Sequence, residues 1–184
     1  MTELALPKID KDTISRKDQI VSHLKKFTKD ENILSENEEI KPYETDGLAA
    51  YKQTPLAVVL PENTKEVSEI LKFCNEENIK VIPRGAGTGL SGGALPLQDA
   101  ILLGLGKFNK ILEIDFENKC VVTQPGVTNL GITHAVQHKG YYYAPDPSSQ
   151  LACSIGGNVA ENSGGVHSLK SVSYTHLTLP TNGC

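Results

Sequence analysis

Apolar and polar positions along the chain change period several times, and each change predicts an element. After Thr13-Ile14-Ser15, Ile20, Leu24 and Phe27 recur at helical spacing, which predicts an N-terminal helix with one stripe turned inward. Residues 37–44 are polar and charged and predict a loop. Ala57-Val58-Val59-Leu60 is an unbroken apolar run closed by Pro61, the pattern of a buried strand. Asn63 with Glu66 three residues later forms a reciprocal capping pair, and Val67, Ile70, Leu71 and Cys74 then mark the apolar stripe of a helix that stops near Asn78. A strand over 79–83 completes a strand–helix–strand crossover unit. Three more strands are predicted at 100–105, 111–114 and 120–124, followed by a helix over 128–138 that Gly140 ends.

The strand at 79–83 delivers the stretch Pro83-Arg84-Gly85-Ala86-Gly87-Thr88-Gly89-Leu90-Ser91-Gly92-Gly93 at its carboxyl end, where ligands collect in open α/β sheets. Successive N–H groups of a glycine-rich turn form a concave nest for an anion, and a nucleotide pyrophosphate is the obvious occupant. Thr88 and Ser91 add hydroxyl donors. A Walker A loop would end in Gly-Lys-Ser/Thr, whereas Gly92-Gly93-Ala94 stands here, so that reading fails. The fingerprint G-x-G-x-x-G fits residues 87–92 only formally, because Gly93-Ala94-Leu95-Pro96 does not open a helix. A plain surface linker is the remaining alternative; the apolar runs on both sides count against it. Further on, two prolines flank Asp146 in Pro145-Asp146-Pro147 and stiffen the backbone that carries its carboxylate, with a polar turn as the bland reading.

The stretch 83–93, taken with Ser154-Ile155-Gly156-Gly157-Asn158-Val159-Ala160-Glu161-Asn162-Ser163-Gly164-Gly165, resembles the paired flavin-binding segments of FAD-linked oxidases of the vanillyl-alcohol-oxidase/p-cresol-methylhydroxylase type. Within that family the likeness is to the branch of glycolate oxidase flavin subunits and D-lactate dehydrogenases, and it runs from about Tyr43 to Lys170. The resemblance implies an α+β fold: the first subdomain of a two-part FAD-binding domain plus the start of the second, without the cap domain. It divides the chain into an N-terminal helix and polar linker at 1–42, a truncated FAD-binding domain at 43–171, and a non-native tail at 172–184. FAD, held without a covalent bond, would lie against 83–93, Pro145, Asp146, Ser154, Gly156, Gly157, Asn158, Ala160, Asn162, Gly164 and Gly165. Gly156-Gly157 would let a flat ring approach closely, and Ser154, Asn158 and Asn162 would bond ribityl oxygens or ring carbonyls. The implied reaction is oxidation of a small 2-hydroxy acid such as glycolate or D-lactate, with electrons passed to quinone, a cytochrome or an iron–sulfur subunit. A catalytic base and substrate clamp are not recognisable in the chain, which by itself is expected to turn over nothing and to bind FAD poorly. A catalytically inert flavin-binding fragment and another FAD reductase of the same fold stand as alternatives.

Composition narrows the field. The 184 residues carry a formal charge of −4, and the lysines at 25, 26 and 29 are followed closely by acidic residues, so a nucleic-acid partner is not indicated. No apolar stretch reaches a membrane-spanning length, which suggests a cytoplasmic protein or one peripheral to a membrane. Cys74, Cys120, Cys153 and Cys184 show no Cys-x-x-Cys spacing, which removes support for zinc or a redox pair; nothing local activates Cys153 for a flavin thioether. His134 and His138 are one helical turn apart but lack a third ligand, so surface or packing roles are expected. Residues 172–181 read as a translated sequencing adaptor, with a genuine β-type tail as the alternative.

Relatives that attach flavin covalently often place a histidine in the first glycine loop, where Thr88 stands here. A threonine hydroxyl cannot form that linkage. Acid or heat denaturation of the flavin-loaded protein is therefore expected to release all flavin into the supernatant; yellow colour in the precipitate would contradict this.

Overall fold

The computed structural model describes residues 7–166. Its elements are α1 (Lys11–Ser15), α2 (Lys17–Leu24), β1 (Ile33–Leu34), α3 (Asn37–Ile40), β2 (Ala57–Val59), α4 (Thr64–Glu76), β3 (Lys80–Arg84), β4 (Ala100–Gly104), β5 (Ile111–Asp115), β6 (Cys120–Thr123), α5 (Asn129–Val136) and α6 (Ile155–Ala160). They fall into two compact units. The first holds the chain up to Pro83 together with Leu90–Gly104; the second holds Arg84–Gly89 and the chain from Leu105 onward. Helix and sheet are mixed, as the α+β reading expected.

In the first unit a four-stranded sheet runs in the order β1-β2-β4-β3. β2 pairs parallel with β4 and antiparallel with β1. Ala57, Val58 and Val59 are fully buried, as are Ala100, Ile101 and Leu102, which is why both strands read as unbroken apolar runs. The predicted strand–helix–strand unit is present, but β2 and β3 are not neighbours, because β4 lies between them. Ile40, Val58 and Leu102 form one cluster, with Leu34, Tyr43, Leu60 and Ile82 packed around it.

Several local expectations change in this unit. Residues 37–44 are not a loop: α3 and a 3-10 turn at Lys41–Tyr43 occupy them, held by a capping box between Glu36 and Glu39. One inward residue, Ile40, fixes that short helix in the core, a signal too sparse for periodicity to register. The N-terminal helix is two helices broken at Arg16, and Asp10 caps the first. Asn63 caps α4 by accepting from the Glu66 N–H, but the Glu66 carboxylate accepts from the Glu62 N–H, the Asn63 amide and the Thr28 hydroxyl instead of closing a reciprocal box. The buried face of α4 is Ile70, Phe73 and Cys74, while Leu71 is 43% exposed. Phe73 turns inward because it stacks on His23 at 4.2 Å and meets Phe27 at 5.9 Å. Burial pushes the Cys74 thiol up to about 11, which leaves it unreactive at neutral pH.

The second unit contains the β5–β6 hairpin, antiparallel, with a register irregularity between Ile111 and Glu113. Asp115 organises its turn by accepting from the N–H groups of Glu117 and Asn118, and these bonds with the Asn118 amide hold its carboxyl below the usual range. α5 buries Asn129, Ile132 and Val136 and passes through a 3-10 turn to Gly140, whose φ of 77° supplies the left-handed stop predicted from sequence. His134 and His138 are exposed, and among the described residues no three metal-binding side chains converge. No helix of the described residues is long and apolar enough to cross a membrane. The proposed tail at 172–184 lies outside the described residues.

The polar tie of the first unit is Asp99, 2% exposed, whose carboxylate accepts from Lys80 Nζ at 2.6 Å and from the Asp10 N–H at 2.7 Å. Burial alone would raise the Asp99 pKa, but the bonds from Lys80 and Asp10 and the lysine charge outweigh it and leave the group below its ordinary value. A carboxyl held low in the fold contributes stability above its unfolded value and loses it as pH falls through the folded one. Asp99→Asn is therefore expected to cost about 1.5–3 kcal/mol at pH 7, with a penalty that shrinks on acidification below about pH 4. Urea unfolding between pH 7 and pH 3 would check this; a penalty independent of pH would contradict it.

Candidate cofactor site

The glycine stretch 83–93 is shared between the units: Arg84–Gly89 groups with the second, and Leu90–Gly93 with the first. Within the second unit Arg84–Gly89 runs along α6. A Cβ placed on Gly85 would collide with Ser154 Oγ and come within 3.9 Å of Gly157 Cα, so the start of the loop lies directly on the start of the helix. At the other end, a Cβ on Gly89 would stand 3.2 Å from Glu161 Oε1. Close packing on a helix therefore explains these glycines as well as a nest of N–H groups does. Gly87 is different: its φ is 71°, and the Arg84 guanidinium folds over the place where a side chain would project. This brings a cation onto the middle of the loop.

The local sequence accounts for α6. Ser154 caps it by accepting from the Gly157 N–H at 3.3 Å, and Asn162, with φ of 52°, closes it in the left-handed region. The stretch 154–162, whose Gly156-Gly157 pair was expected to let a flat ring approach, thus holds a capped helix of six residues. Backbone bonds stitch its start to the start of α5: Ile155 N–H donates to Val127 O and Gly156 N–H to Pro125 O, both at 2.8 Å, and Asn129 N–H donates to Cys153 O at 3.1 Å. Asp146 pairs with Gly165 as an isolated parallel bridge, and its N–H donates to Gly164 O at 3.2 Å. A side chain at Gly165 would run into the Asp146 backbone, so the stiff proline segment and the last glycines are built against each other.

Burial sorts the remaining predicted residues. Ser154, Asn158 and Gly164 are buried; Thr88, Pro145, Asp146, Gly156 and Gly157 are half-buried; Pro83, Ala86, Ala160, Asn162 and Gly165 are exposed. In the first unit Leu90, Ser91 and Gly93 are exposed, and Gly92, with φ of 79°, lies 4.0 Å from Leu48 Cδ2 measured from an added Cβ. Two further residues matter that sequence reading passed over. Asn129, 1% exposed, donates through Nδ2 to Pro145 O at 2.9 Å and so anchors the proline segment. Glu161 brings a carboxylate to Gly89. Neither position has a local signal, because both partners are distant in sequence.

Asn158 decides how the site reads. It is 3% exposed, yet neither its amide nitrogen nor its amide oxygen has a hydrogen-bond partner among the described residues. Buried amides are rarely left so, and one that keeps both a donor and an acceptor in reserve suits a ligand edge offering the complement.

The sequence profile of the family described as FAD binding domain matches residues 55–179. The chain belongs to this FAD binding domain family. It is 51% identical over 166 residues to glycolate oxidase subunit GlcD of Escherichia coli, covering 90% of this chain and 32% of that protein. To D-lactate dehydrogenase of Anaerostipes hadrus it is 41% identical over 126 residues, 68% of this chain and 26% of the relative. Among solved structures, p-cresol methylhydroxylase with substrate bound superposes with a TM-score of 0.71 at 23% identity, covering 89% of this chain and 32% of that one, which shows the shared fold. The chain thus spans about a third of the length of these FAD binding domain relatives.

Gly156 and Gly157 separate packing from propensity. An added Cβ on Gly156 would lie 2.8 Å from Pro125 Cβ and 3.1 Å from Pro125 O, whereas one on Gly157 meets Ser154 Oγ at 3.2 Å and nothing else. Gly156→Ala is expected to destabilise the protein by about 1–3 kcal/mol through overpacking. Gly157→Ala should shift stability by less than about 1 kcal/mol, helix propensity offsetting the contact. Denaturant midpoints that fall equally for the two variants would contradict the arrangement.

Proposed function

We propose that the loop residues 84–89 and the segment 145–165, both in the second unit, hold FAD, the loop taking the pyrophosphate and the α6 segment the ribityl chain and ring, and that the whole protein oxidises a small 2-hydroxy acid such as glycolate or D-lactate. The unpartnered buried amide of Asn158, on the helix along which Arg84–Gly89 runs, carries this reading. It suits a lactam edge, which presents carbonyl oxygen and N–H side by side. The Arg84 guanidinium over Gly87 supplies positive charge next to the loop's N–H groups, as a pyrophosphate requires. Asp146, fixed by its bridge to Gly165 and by the Asn129 bond to Pro145, sets the edge of the site.

FAD, when bound, supplies the two-electron acceptor; the chain's own task is to hold and orient it. The relatives' names point to the substrate class, since the similar proteins are a glycolate oxidase subunit and a D-lactate dehydrogenase. The name "subunit" also favours a multi-protein assembly, in which electrons leave for an iron–sulfur partner, a cytochrome or quinone.

Gly89→Val tests the cofactor reading. The new side chain would meet the flexible Glu161 carboxylate rather than backbone, so folding should survive while the approach of a phosphate to the loop is blocked. Losing one charge-assisted backbone bond costs about 1.5–3 kcal/mol, so the FAD affinity of the full-length variant, measured by flavin fluorescence titration, is expected to fall about tenfold or more. Unchanged affinity in a folded variant would make the loop a connector.

A further inference from the structure

We infer that Glu161 sets ligand specificity at this site, by accepting a hydrogen bond from a ligand hydroxyl beside the pyrophosphate and so selecting a sugar- or ribityl-bearing nucleotide over a bare polyphosphate. This rests on the nucleotide reading of the loop and α6. Glu161 caps the C-terminal end of α6, and its carboxylate turns toward the loop to fill the space that the missing side chain of Gly89 leaves. No hydrogen bond or ion pair engages that carboxylate among the described residues, although Lys52, Lys72 and Lys80 elsewhere each hold an acid.

An ionised carboxylate is an acceptor only. Beside a loop that attracts anions, it opposes any ligand that brings nothing but phosphate oxygens: two acceptors face each other, with like charge. A ligand that places a hydroxyl there reverses the sign, because the hydroxyl donates to the carboxylate while the neighbouring phosphate keeps the loop N–H groups and the Arg84 charge. Asn158 stands three residues before Glu161, on the same side of the helix, and it too is unsatisfied in the described structure. The loop and the end of α6 therefore offer a cation at Gly87 and a hydroxyl acceptor at Gly89.

The test compares the full-length protein that contains this chain with its Glu161→Gln variant by calorimetric titration with FAD and with inorganic pyrophosphate, circular dichroism establishing that both are folded. Glutamine keeps the shape but exchanges a charged acceptor for a neutral amide. FAD affinity is expected to fall about five- to tenfold in Glu161→Gln, while pyrophosphate affinity holds or rises. Unchanged or tighter FAD binding would overturn the inference, and so would parallel losses for both ligands, the signature of a merely structural role. If the full-length protein bound neither ligand, the nucleotide reading itself would fall; FAD binding by the full-length protein with an indifferent Glu161→Gln would remove the role of Glu161 alone.

Discussion

The close approach of Arg84–Gly89 to α6 is the constraint on which the site depends. At Gly85 there is room for a hydrogen atom and little else, because Ser154 Oγ, already committed to capping the helix, occupies the space beyond. This contact places two segments, separated by some sixty residues of chain, alongside each other in the second unit, and it determines which groups face the gap. Gly87 then accepts a left-handed conformation under the Arg84 side chain, and Gly89 leaves space for Glu161. Glycine is needed at 85 for proximity and at 87 for conformation, two distinct physical demands met by one residue type.

Rigidity of the α6 side comes from its connections. The start of α6 is bonded to the chain just before α5, Asn129 at the start of α5 is bonded to the Pro145 carbonyl, and Asp146 is bridged to Gly165. Each link is a backbone or amide hydrogen bond at a buried or half-buried position, where an unmade bond would be costly. The polar groups left unsatisfied stand out against this background. Asn158 leaves both polar atoms of its buried amide unpaired among the described residues, and an amide in that state is either a defect or a reserve for something not part of the chain.

The first unit shows a different economy. Its central strands are apolar on both faces, and its N-terminal helices are fixed at their ends, by Asp10 on Asp99 and by His23 on Phe73. Stability there rests on burial, with the buried Asp99 carboxylate tied to Lys80. Cys74 lies within that core, its thiol pushed up by burial.

Wherever an element is determined by its own residues, the sequence was sufficient. The apolar runs at 57–60 and 100–105, the Asn63 cap, the Gly140 stop and the glycine pattern at 83–93 were all legible, because burial on both faces, capping and left-handed turns leave local marks. The pairing of 83–93 with 154–165 was also legible, though as a likeness of motifs and not as a geometry. Tertiary structure alone decided that β4 separates β2 from β3, that Ile40 makes a helix of a charged stretch, and that Phe73 rather than Leu71 faces inward. It also decided that Glu161 reaches Gly89 and that Asn129 holds Pro145. The physical reason is common to all of these: each depends on a partner far along the chain, and the energy of a long-range contact has no signature in the spacing of the residues that make it.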